Sequence, residues 1–313
     1  MKPPTYPKTI QVPASTTNLG AGFDALGLAL KLYLKVEIQV TKSASPIIVL
    51  GGEGSHELPA DSNNLIHRVM QYVFSEEGID PPGVILRAWN EIPVTRGLGS
   101  SAAAIVAGMG CFEALTDIEL SPEAFFRYAF AFEKHPDNLA AARYGGFTVS
   151  CVNEHEEVAL FKSTIASGVK ILLVVPEIQL LTEKARAVIP PTFSQADSVF
   201  NLQRSSLTVA ALLEGQFHLL RESLRDRLHQ PFRAPLIPGF SEILELQKAR
   251  IPGLQGLCLS GAGPSILAFV DSNLTEVYRR IADIFNQHGI TCRHFELDVD
   301  NQGRTISDTA LQN

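Results

Sequence analysis

The chain has 313 residues, of which 45% are hydrophobic, and its formal net charge is −7. This length suggests about two domains, with enough apolar residues for both cores. The acidic balance lacks the excess of lysine and arginine that marks a nucleic-acid-binding surface, so no nucleic acid is expected as a partner. No apolar run approaches the ~18 residues of a membrane span, and residues 1–9 contain no apolar signal-peptide core, so no membrane partner is expected.

In the first half of the chain, strands and helices alternate. Apolar and polar residues alternate strictly over 32–40, which predicts a half-buried strand, and further strands are predicted over 8–12 and 84–89. Helical spacing of apolar residues predicts a helix over 64–74. Ser121-Pro122-Glu123 predicts the start of another helix that runs to about residue 133, because serine caps a helix and proline fits its first turn.

In the second half, a strand is predicted over 147–149, and the uneven polar segment 150–168 is predicted to contain a domain boundary. The predicted domains are therefore residues 1–160 and 161–313. Further strands are predicted over 169–175, 256–260 and 266–270, and amphipathic helices over 201–213 and 274–285. The polar residues after about 298 are expected to form a weakly ordered tail.

The four cysteines, at positions 111, 151, 258 and 292, are far apart in the sequence, and three of them sit in apolar segments. This spacing favours reduced, buried thiols over a disulfide framework or a zinc site. A cytoplasmic location is therefore expected.

A glycine- and serine-rich loop is the most informative segment of the chain. It reads Gly97-Leu98-Gly99-Ser100-Ser101-Ala102-Ala103 and runs into a stretch of small apolar residues. Glycines let the backbone approach an anion, and the following helix start supplies free N–H groups, so the loop is predicted to cradle a phosphate. It matches neither the Walker A nor the Gly-x-Gly-x-x-Gly pattern. The alternative is a glycine-rich turn that only starts a buried helix.

Three other segments contain candidate site residues, each with a purely structural alternative. Asn18 and Asp24 lie in a loop of small residues and could hold a polar ligand, or only bond to the backbone. Glu133 and Asp137 lie in a polar hexapeptide; one carboxylate could bind a magnesium ion and the other could orient or deprotonate an acceptor hydroxyl. Alternatively, the hexapeptide is only a solvated junction between a helix and a loop. The glycine-rich turn over 260–265 could approach the ligand, or simply join two strands.

In their combination and order, these segments resemble the GHMP kinase superfamily. The run from Pro93 to Ala102 is similar to the Pro-x(3)-Gly-Leu-Gly-Ser-Ser-Ala motif, and residues 260–265 are similar to the C-terminal Gly-x-Gly-Pro motif. The resemblance covers about residues 12–270. It implies an α+β fold of two domains, the first like ribosomal protein S5 domain 2 and the second ferredoxin-like, with the site between them.

Within the superfamily, residues 13–27, 135–138, 182–190 and 226–233 most resemble the homoserine kinases. This implies transfer of a phosphoryl group from ATP, with Mg²⁺, to L-homoserine, giving O-phosphohomoserine for threonine biosynthesis, and a homodimer as the family-level expectation. The alternatives are a kinase of this superfamily for another small hydroxy acid, and a non-catalytic relative that only binds its ligand.

The resemblance also implies a role for each candidate residue. Ser101 and Glu133 would bind magnesium, Asn64 would lie near the adenine, and Ser101, Asp137 and Arg186 would act in catalysis, with Asp137 as a candidate base. The ATP site would comprise Asn64, Pro93, Arg96, Gly97, Leu98, Gly99, Ser100, Ser101, Ala102 and Ala103. The substrate site would comprise Asn18, Asp24, His135, Asp137, Asn138, Arg186 and Arg233.

The two arginines suit a substrate with a carboxylate, because guanidinium groups bind carboxylates through two hydrogen bonds. Mevalonate also has a carboxylate, so the substrate ammonium, expected near Asn18 and Asp24, is what separates the two substrates. The sequence departs from the family pattern at three places. Lys134 replaces the usual glycine beside Glu133, Ala21 replaces a proline, and Thr16-Thr17 replace Ser-Ala. Lys134 is the departure that could affect the metal site.

Overall fold

A computed structural model describes residues 7–43, 45–165 and 168–308. In these ranges, the larger sheet contains seven strands: β1 (Lys8–Thr17), β2 (Leu26–Thr41), β3 (Ile47–Gly52), β4 (Gly83–Asn90), β5 (Phe147–Val152), β6 (Val158–Ser163) and β11 (Thr305–Ser307). Their order is β11-β1-β2-β4-β3, with β5 paired to β2 and β6 paired to β5. Strands β3 and β4 pair in parallel, and the other pairs of this sheet in the described residues are antiparallel.

Four helices accompany this sheet: α1 (Leu65–Glu76), α2 (Ser100–Thr116), α3 (Pro122–Ala129) and α4 (Pro136–Tyr144). Helix α2 is apolar on all sides and nearly all of it is buried, because it packs between β1, α1 and α4. The predicted helix over 64–74 is confirmed as α1, and Asn64 caps it. The central position of α2 fixes the glycine-rich loop, since that loop leads directly into its first turn.

Helix α3 ends at Ala129, so the prediction that it continues to about residue 133 was wrong. After Ala129 the backbone tightens: the N–H of Ala131 bonds to Tyr128 and the N–H of Phe132 to Ala129. Pro136 also disfavours helical backbone at the residue before it, which breaks the chain between α3 and α4. This break leaves residues 133–135 outside both helices, with His135 in an extended conformation just before α4.

Over the described residues, the second sheet contains four strands: β7 (Lys170–Pro176), β8 (Leu254–Leu259), β9 (Ile266–Val270) and β10 (Cys292–Leu297). They are antiparallel and lie in the order β10-β7-β9-β8. Its helices are α5 (Thr182–Ala187), α6 (Gln195–Leu213), α7 (Leu220–Ser223), α8 (Gln230–Arg233), α9 (Phe240–Glu245) and α10 (Leu274–Gln287), with 3-10 turns at Phe217–Leu219 and Ala234–Leu236. The strand–helix–strand–strand–helix–strand succession is that of a ferredoxin-like domain.

The predicted strands are confirmed as β1, β2, β4, β5, β7, β8 and β9, and the helices over 201–213 and 274–285 as α6 and α10. Strand β1 extends to Thr17, beyond its predicted end at residue 12, and β2 begins at Leu26, before its predicted start at residue 32. Helix α6 starts earlier than predicted, at Gln195, because the Ser194 side chain accepts the Asp197 N–H (3.1 Å) and caps a polar first turn. Within the described residues, no helix is long and apolar enough to cross a membrane.

The polar C-terminal segment is not a weakly ordered tail over the residues that the structure describes, which end at 308. Strand β11 pairs with β1, and Arg304 is buried and forms an ion pair with Glu113 of α2. The hydrophobicity pattern did not predict this strand, because a buried ion pair and not a row of apolar residues holds it in place. Residues 309–313 of the predicted tail lie outside the described residues.

Candidate active site

The glycine-rich loop has a backbone that only glycine adopts easily at two positions. Gly97 has a φ of 73° and Gly99 a φ of 68°, both left-handed. A Cβ atom on Gly97 would overlap the carbonyl oxygen of Ser260, and one on Gly99 would overlap the hydroxyl of Ser15. Gly99 caps α2 without a side-chain hydrogen bond. The first N–H groups and the positive end of the helix dipole are therefore available to an anion.

The end of β1 joins three segments beneath this loop. The N–H of Ser15 donates to the carbonyl oxygen of Leu98 (3.1 Å), and the Ser15 hydroxyl donates to Asn138 Oδ1 (2.9 Å). The Ser260 hydroxyl donates to the carbonyl oxygen of Gly97 (2.7 Å) and lies 2.8 Å from that of Thr16. Sequence reasoning did not assign site roles to these hydroxyl groups. The signal available was the run of small hydroxyl residues at 15–17, where a strand meets a loop.

These segments enclose a cavity of about 190 Å³ at the junction of the two sheets. Most of the predicted ATP, metal and substrate residues line it. They are Asn18, Asp24, Pro93, Arg96, Gly97, Leu98, Gly99, Ser100, Ser101, Ala102, Glu133, His135, Asp137, Asn138, Arg186 and Arg233. Thr17 and Thr182 also line it, although no role was predicted for them. Gly261 and Ala262 line it too, and they belong to the turn that was predicted either to approach the ligand or simply to join two strands. Residues from six separate parts of the chain thus line one cavity.

Two predicted residues lie elsewhere. Ala103 is fully buried within α2 and lines neither this cavity nor its neighbour. Asn64 lines an adjoining cavity of about 220 Å³ that is mostly apolar and shares Ser100 and Ser101 with the first. The Asn64 amide is engaged by the backbone: Oδ1 accepts the Ile66 N–H (3.0 Å) and Nδ2 donates to Pro59 O (2.8 Å). That Asn64 lies near the adenine stays a prediction, and the apolar lining of the adjoining cavity is compatible with a planar base.

The acidic side of the cavity carries Glu133, His135 and Asp137. His135 Nδ1 lies 2.8 Å from Glu133 Oε1, and this hydrogen bond raises the pKa of His135. Burial alone would raise the pKa of Glu133, but its hydrogen bonds with His135 lower it below the ordinary value. Asp137 is 3% exposed, and burial, followed by the nearby charge of Asp24, raises its pKa to about 6. Asp137 can therefore exchange a proton near neutral pH.

The basic side carries two arginines of different character. Arg186 forms a bidentate ion pair with Asp24, with Nη–Oδ distances of 3.0 and 2.8 Å. Arg233 is 1% exposed and donates to the carbonyl oxygens of Ala185 and Gly261, both at 3.1 Å. Burial, and then the charge of Arg186, lowers the pKa of Arg233 to about 10, so it stays protonated at neutral pH. A protonated guanidinium at the cavity wall favours an anionic group.

The two asparagines hold the framework together. Asn18 Nδ2 donates to the carbonyl oxygen of Gly261 (2.8 Å), and its Oδ1 accepts the N–H of Asp24 (3.0 Å). Asn138 Nδ2 donates to the hydroxyl of Thr17 (3.2 Å), in addition to the bond from Ser15. Their contacts with a substrate stay predictions. The exposed Lys134 does not line the cavity, although it separates Glu133 from His135 in the sequence.

Comparison with known proteins agrees with this architecture. Residues 64–146 match the family described as GHMP kinases N terminal domain, and residues 208–287 match GHMP kinases C terminal. The chain belongs to the GHMP kinases, a class of ATP-dependent small-molecule kinases, as the fold and the resemblance of its motifs predicted.

Within this class, the relatives identify the particular family. The chain is 39% identical over 298 residues to a homoserine kinase of Persephonella marina, covering 95% of this chain and 97% of that protein. It is 40% identical over 300 residues to a homoserine kinase of Desulfitobacterium hafniense, covering 95% and 99%. A crystal structure of homoserine kinase from Cytophaga hutchinsonii shares the fold, with a TM-score of 0.84, 24% identity and coverage of 98% and 99%. The chain thus falls in the homoserine kinase family.

Proposed function

We propose that this protein transfers the γ-phosphoryl group of ATP to the side-chain hydroxyl of L-homoserine, giving O-phospho-L-homoserine. One observation carries the proposal: a single cavity has an uncapped helix start on one wall and a paired Asp24 and Arg186 beside the buried Arg233 on another. The first wall suits phosphates. The second suits a small molecule that has both an ammonium and a carboxylate group.

The Asp24–Arg186 pair supports a zwitterionic substrate. Without substrate, the two side chains satisfy each other. An incoming α-amino acid can replace both halves of the pair, since its ammonium suits Asp24 and its carboxylate suits Arg186 and Arg233. A hydroxy acid without the ammonium would separate the pair and leave Asp24 without a cation. We therefore favour homoserine over mevalonate.

For the chemical step, we propose that Asp137 accepts or orients the proton of the acceptor hydroxyl. Its raised pKa, about 6, leaves it largely ionised at neutral pH yet more basic than an ordinary aspartate. Phosphoryl transfer through a loose transition state needs little nucleophilic activation, so positioning and charge stabilisation contribute most. Arg186 is proposed to stabilise charge beside the reacting groups, and the N–H groups at the start of α2 to bind the phosphate oxygens.

The residues also fit a magnesium ion. Among the described residues there is no cluster of three or more His, Cys, Asp or Glu that could hold a metal by itself. Mg²⁺ commonly takes one or two protein oxygens and completes its shell with phosphates and water. The Glu133 carboxylate and the Ser101 hydroxyl line the same cavity and supply such oxygens. When bound there, the ion would neutralise phosphate charge.

Four broader statements are also proposals. We propose that the protein works in threonine biosynthesis, which follows from the product. We propose a cytoplasmic location, supported by four free cysteines, two of them buried with their pKa raised to about 12 by burial. The homodimer rests on the family resemblance alone. The proposed division into domains 1–160 and 161–313 follows the two sheets, except that its boundary falls within β6 and that β11 returns to the first sheet.

The test measures ADP release from Mg-ATP by the purified protein with L-homoserine, mevalonate, L-serine or no acceptor. We expect turnover with L-homoserine well above the other three, and a phosphomonoester product by ³¹P NMR. Glu133→Ala should abolish metal-dependent turnover while homoserine binding is kept. A folded protein that binds ATP but releases no acceptor-dependent ADP would rule out the proposed activity and favour a relative that only binds its ligand.

A further inference from the structure

A histidine outside the predicted site lies directly behind the substrate arginine. His229 is fully buried, in the turn that precedes α8. Asp226 organises this turn, because its carboxylate accepts the N–H groups of Leu228, His229 and Gln230 at 2.8, 2.9 and 2.6 Å. Asn201 adds a fourth hydrogen bond to the same carboxylate, at 2.7 Å. These hydrogen bonds hold the backbone of the turn in place, and the backbone in turn positions the imidazole of His229.

The hydrogen bonds of His229 define its tautomer. Nε2 lies 2.7 Å from the carbonyl oxygen of Gly20, which can only accept, so Nε2 carries the proton. Nδ1 lies 3.1 Å from Nη1 of Arg233, which can only donate, so Nδ1 is the acceptor. Burial lowers the pKa of His229, which agrees with a neutral ring. The ring thus connects the substrate loop at Gly20 to the Arg233 guanidinium.

Phe23 completes this support. Its ring stacks on the His229 ring, with centroids 5.2 Å apart and an interplanar angle of 18°. The guanidinium carbons of Arg186 and Arg233 lie 5.3 and 5.5 Å from its centroid, within the range of a cation–π contact. One aromatic side chain therefore contacts both proposed carboxylate ligands. Neither Phe23 nor His229 lines the cavity.

We infer that His229, backed by Phe23, is a positioning residue that aims the Arg233 guanidinium at the substrate carboxylate and so sets the affinity for homoserine. The inference rests on the proposed role of Arg233 in binding that carboxylate. Nε of Arg233 donates to Ala185, and Nη1 donates to both Gly261 and the imidazole Nδ1, so Nη2 is the nitrogen left for the substrate carboxylate. Loss of the Nδ1 acceptor removes one of the three hydrogen bonds that orient the guanidinium and so weakens the contact of Nη2 with the carboxylate.

The test separates the two nitrogen atoms of His229 with two variants. In His229→Gln, the amide nitrogen can replace Nε2 and keep the bond to Gly20, but the acceptor for Arg233 is lost. In His229→Asn, the amide oxygen can replace Nδ1 and keep the acceptor, but the bond to Gly20 is lost. Steady-state kinetics with both substrates gives KM for homoserine, KM for ATP and kcat, and circular dichroism with a thermal melt checks folding.

We expect His229→Gln to raise KM for homoserine at least about tenfold, as for loss of one hydrogen bond to a charged group, with KM for ATP unchanged. His229→Asn should keep KM for homoserine near that of the parent and lose thermal stability instead. Equal values of KM for homoserine in both variants, or KM for ATP rising in parallel, would overturn the inference, because a purely structural histidine would give that result.

Two further variants keep the test decisive. If His229→Gln does not fold, Phe23→Leu removes the ring from under both guanidinium groups at a partly exposed position, with Phe23→Tyr as the control that keeps the ring. The leucine variant should raise KM for homoserine and the tyrosine variant should not; equal values would overturn the inference.

Arg233→Lys tests the underlying assignment of Arg233 as a ligand of the substrate carboxylate. If it leaves KM for homoserine unchanged, the proposed role of Arg233 fails, whatever the His229 variants give.

Discussion

Replacing Gly97 with alanine tests whether the phosphate loop depends on its close approach to the second sheet. Gly97 has a φ of 73°, and a Cβ atom there would overlap the Ser260 carbonyl oxygen and lie 2.8 Å from the Gly263 nitrogen. Gly289 is a matched control, since its φ is also 73° but no atom lies within 4 Å of an added Cβ. The pair shares the backbone strain and differs only in the clash.

The left-handed backbone should cost each alanine variant about 1–2 kcal/mol in the free energy of unfolding. Gly97→Ala should lose a further ~1–3 kcal/mol, because backbone atoms must move to admit the methyl group. Urea denaturation of the two variants measures the difference. Displacement of the loop should also raise KM for ATP in Gly97→Ala, whereas Gly289→Ala should keep the parental kinetics, since its added methyl group meets no atom and Gly289 does not line the cavity.

Equal destabilisation of the two variants would refute the reasoning, because it would mean that the loop and the Ser260 turn do not meet as described. A large loss of stability in Gly97→Ala with a normal KM for ATP would support the contact with the Ser260 turn but contradict the role of the loop in holding phosphates.

Three further predictions concern charged groups. Asp137→Asn should remove the acidic limb of the kcat profile near pH 6, and a limb that persists would exclude Asp137 as the titrating group. The folded pKa of Asp137, about 6, lies above its ordinary value of 3.8, so ionisation of Asp137 destabilises the folded state by roughly 3 kcal/mol above pH 6. Below pH 4 the group is protonated in both states and this cost is absent. Urea denaturation should therefore show Asp137→Asn to be more stable than the parent at pH 8 but not at pH 4. Asp24→Asn should lower kcat/KM for homoserine about tenfold or more and leave that for 4-hydroxybutyrate, which lacks the ammonium, nearly unchanged; an equal loss with both would refute ammonium recognition. Arg304→Ala should destabilise the fold by about 3 kcal/mol, because it removes the nearest cation from the buried Glu113 and leaves it only Arg143, at 3.7 Å, as a charged partner. Glu113→Gln in the same chain should restore part of the loss, and a change below about 0.5 kcal/mol would contradict the anchoring of the C-terminal strand.

Several features of the site were local enough to predict. The glycine-rich loop and the helix that starts directly after it depend on neighbouring residues, so their sequence pattern is sufficient. The end of α3 was misplaced because its apolar spacing continues beyond Ala129 while the backbone does not. The C-terminal strand was missed because a buried charge pair, invisible to a hydrophobicity pattern, holds it in place.

The sequence by itself determined many of the segments, among them seven strands and the glycine-rich loop with the helix that follows it, and its motifs indicated the family. Only the tertiary structure decided which of them meet. Asp24 and Arg186 are 162 residues apart, Asn18 and Gly261 are 243 apart, and His229 reaches Gly20 across 209. Such pairs depend on how the two sheets and their helices pack against each other. Local periodicity carries no information about that packing, because it reports only which face of an element is buried and not what covers it.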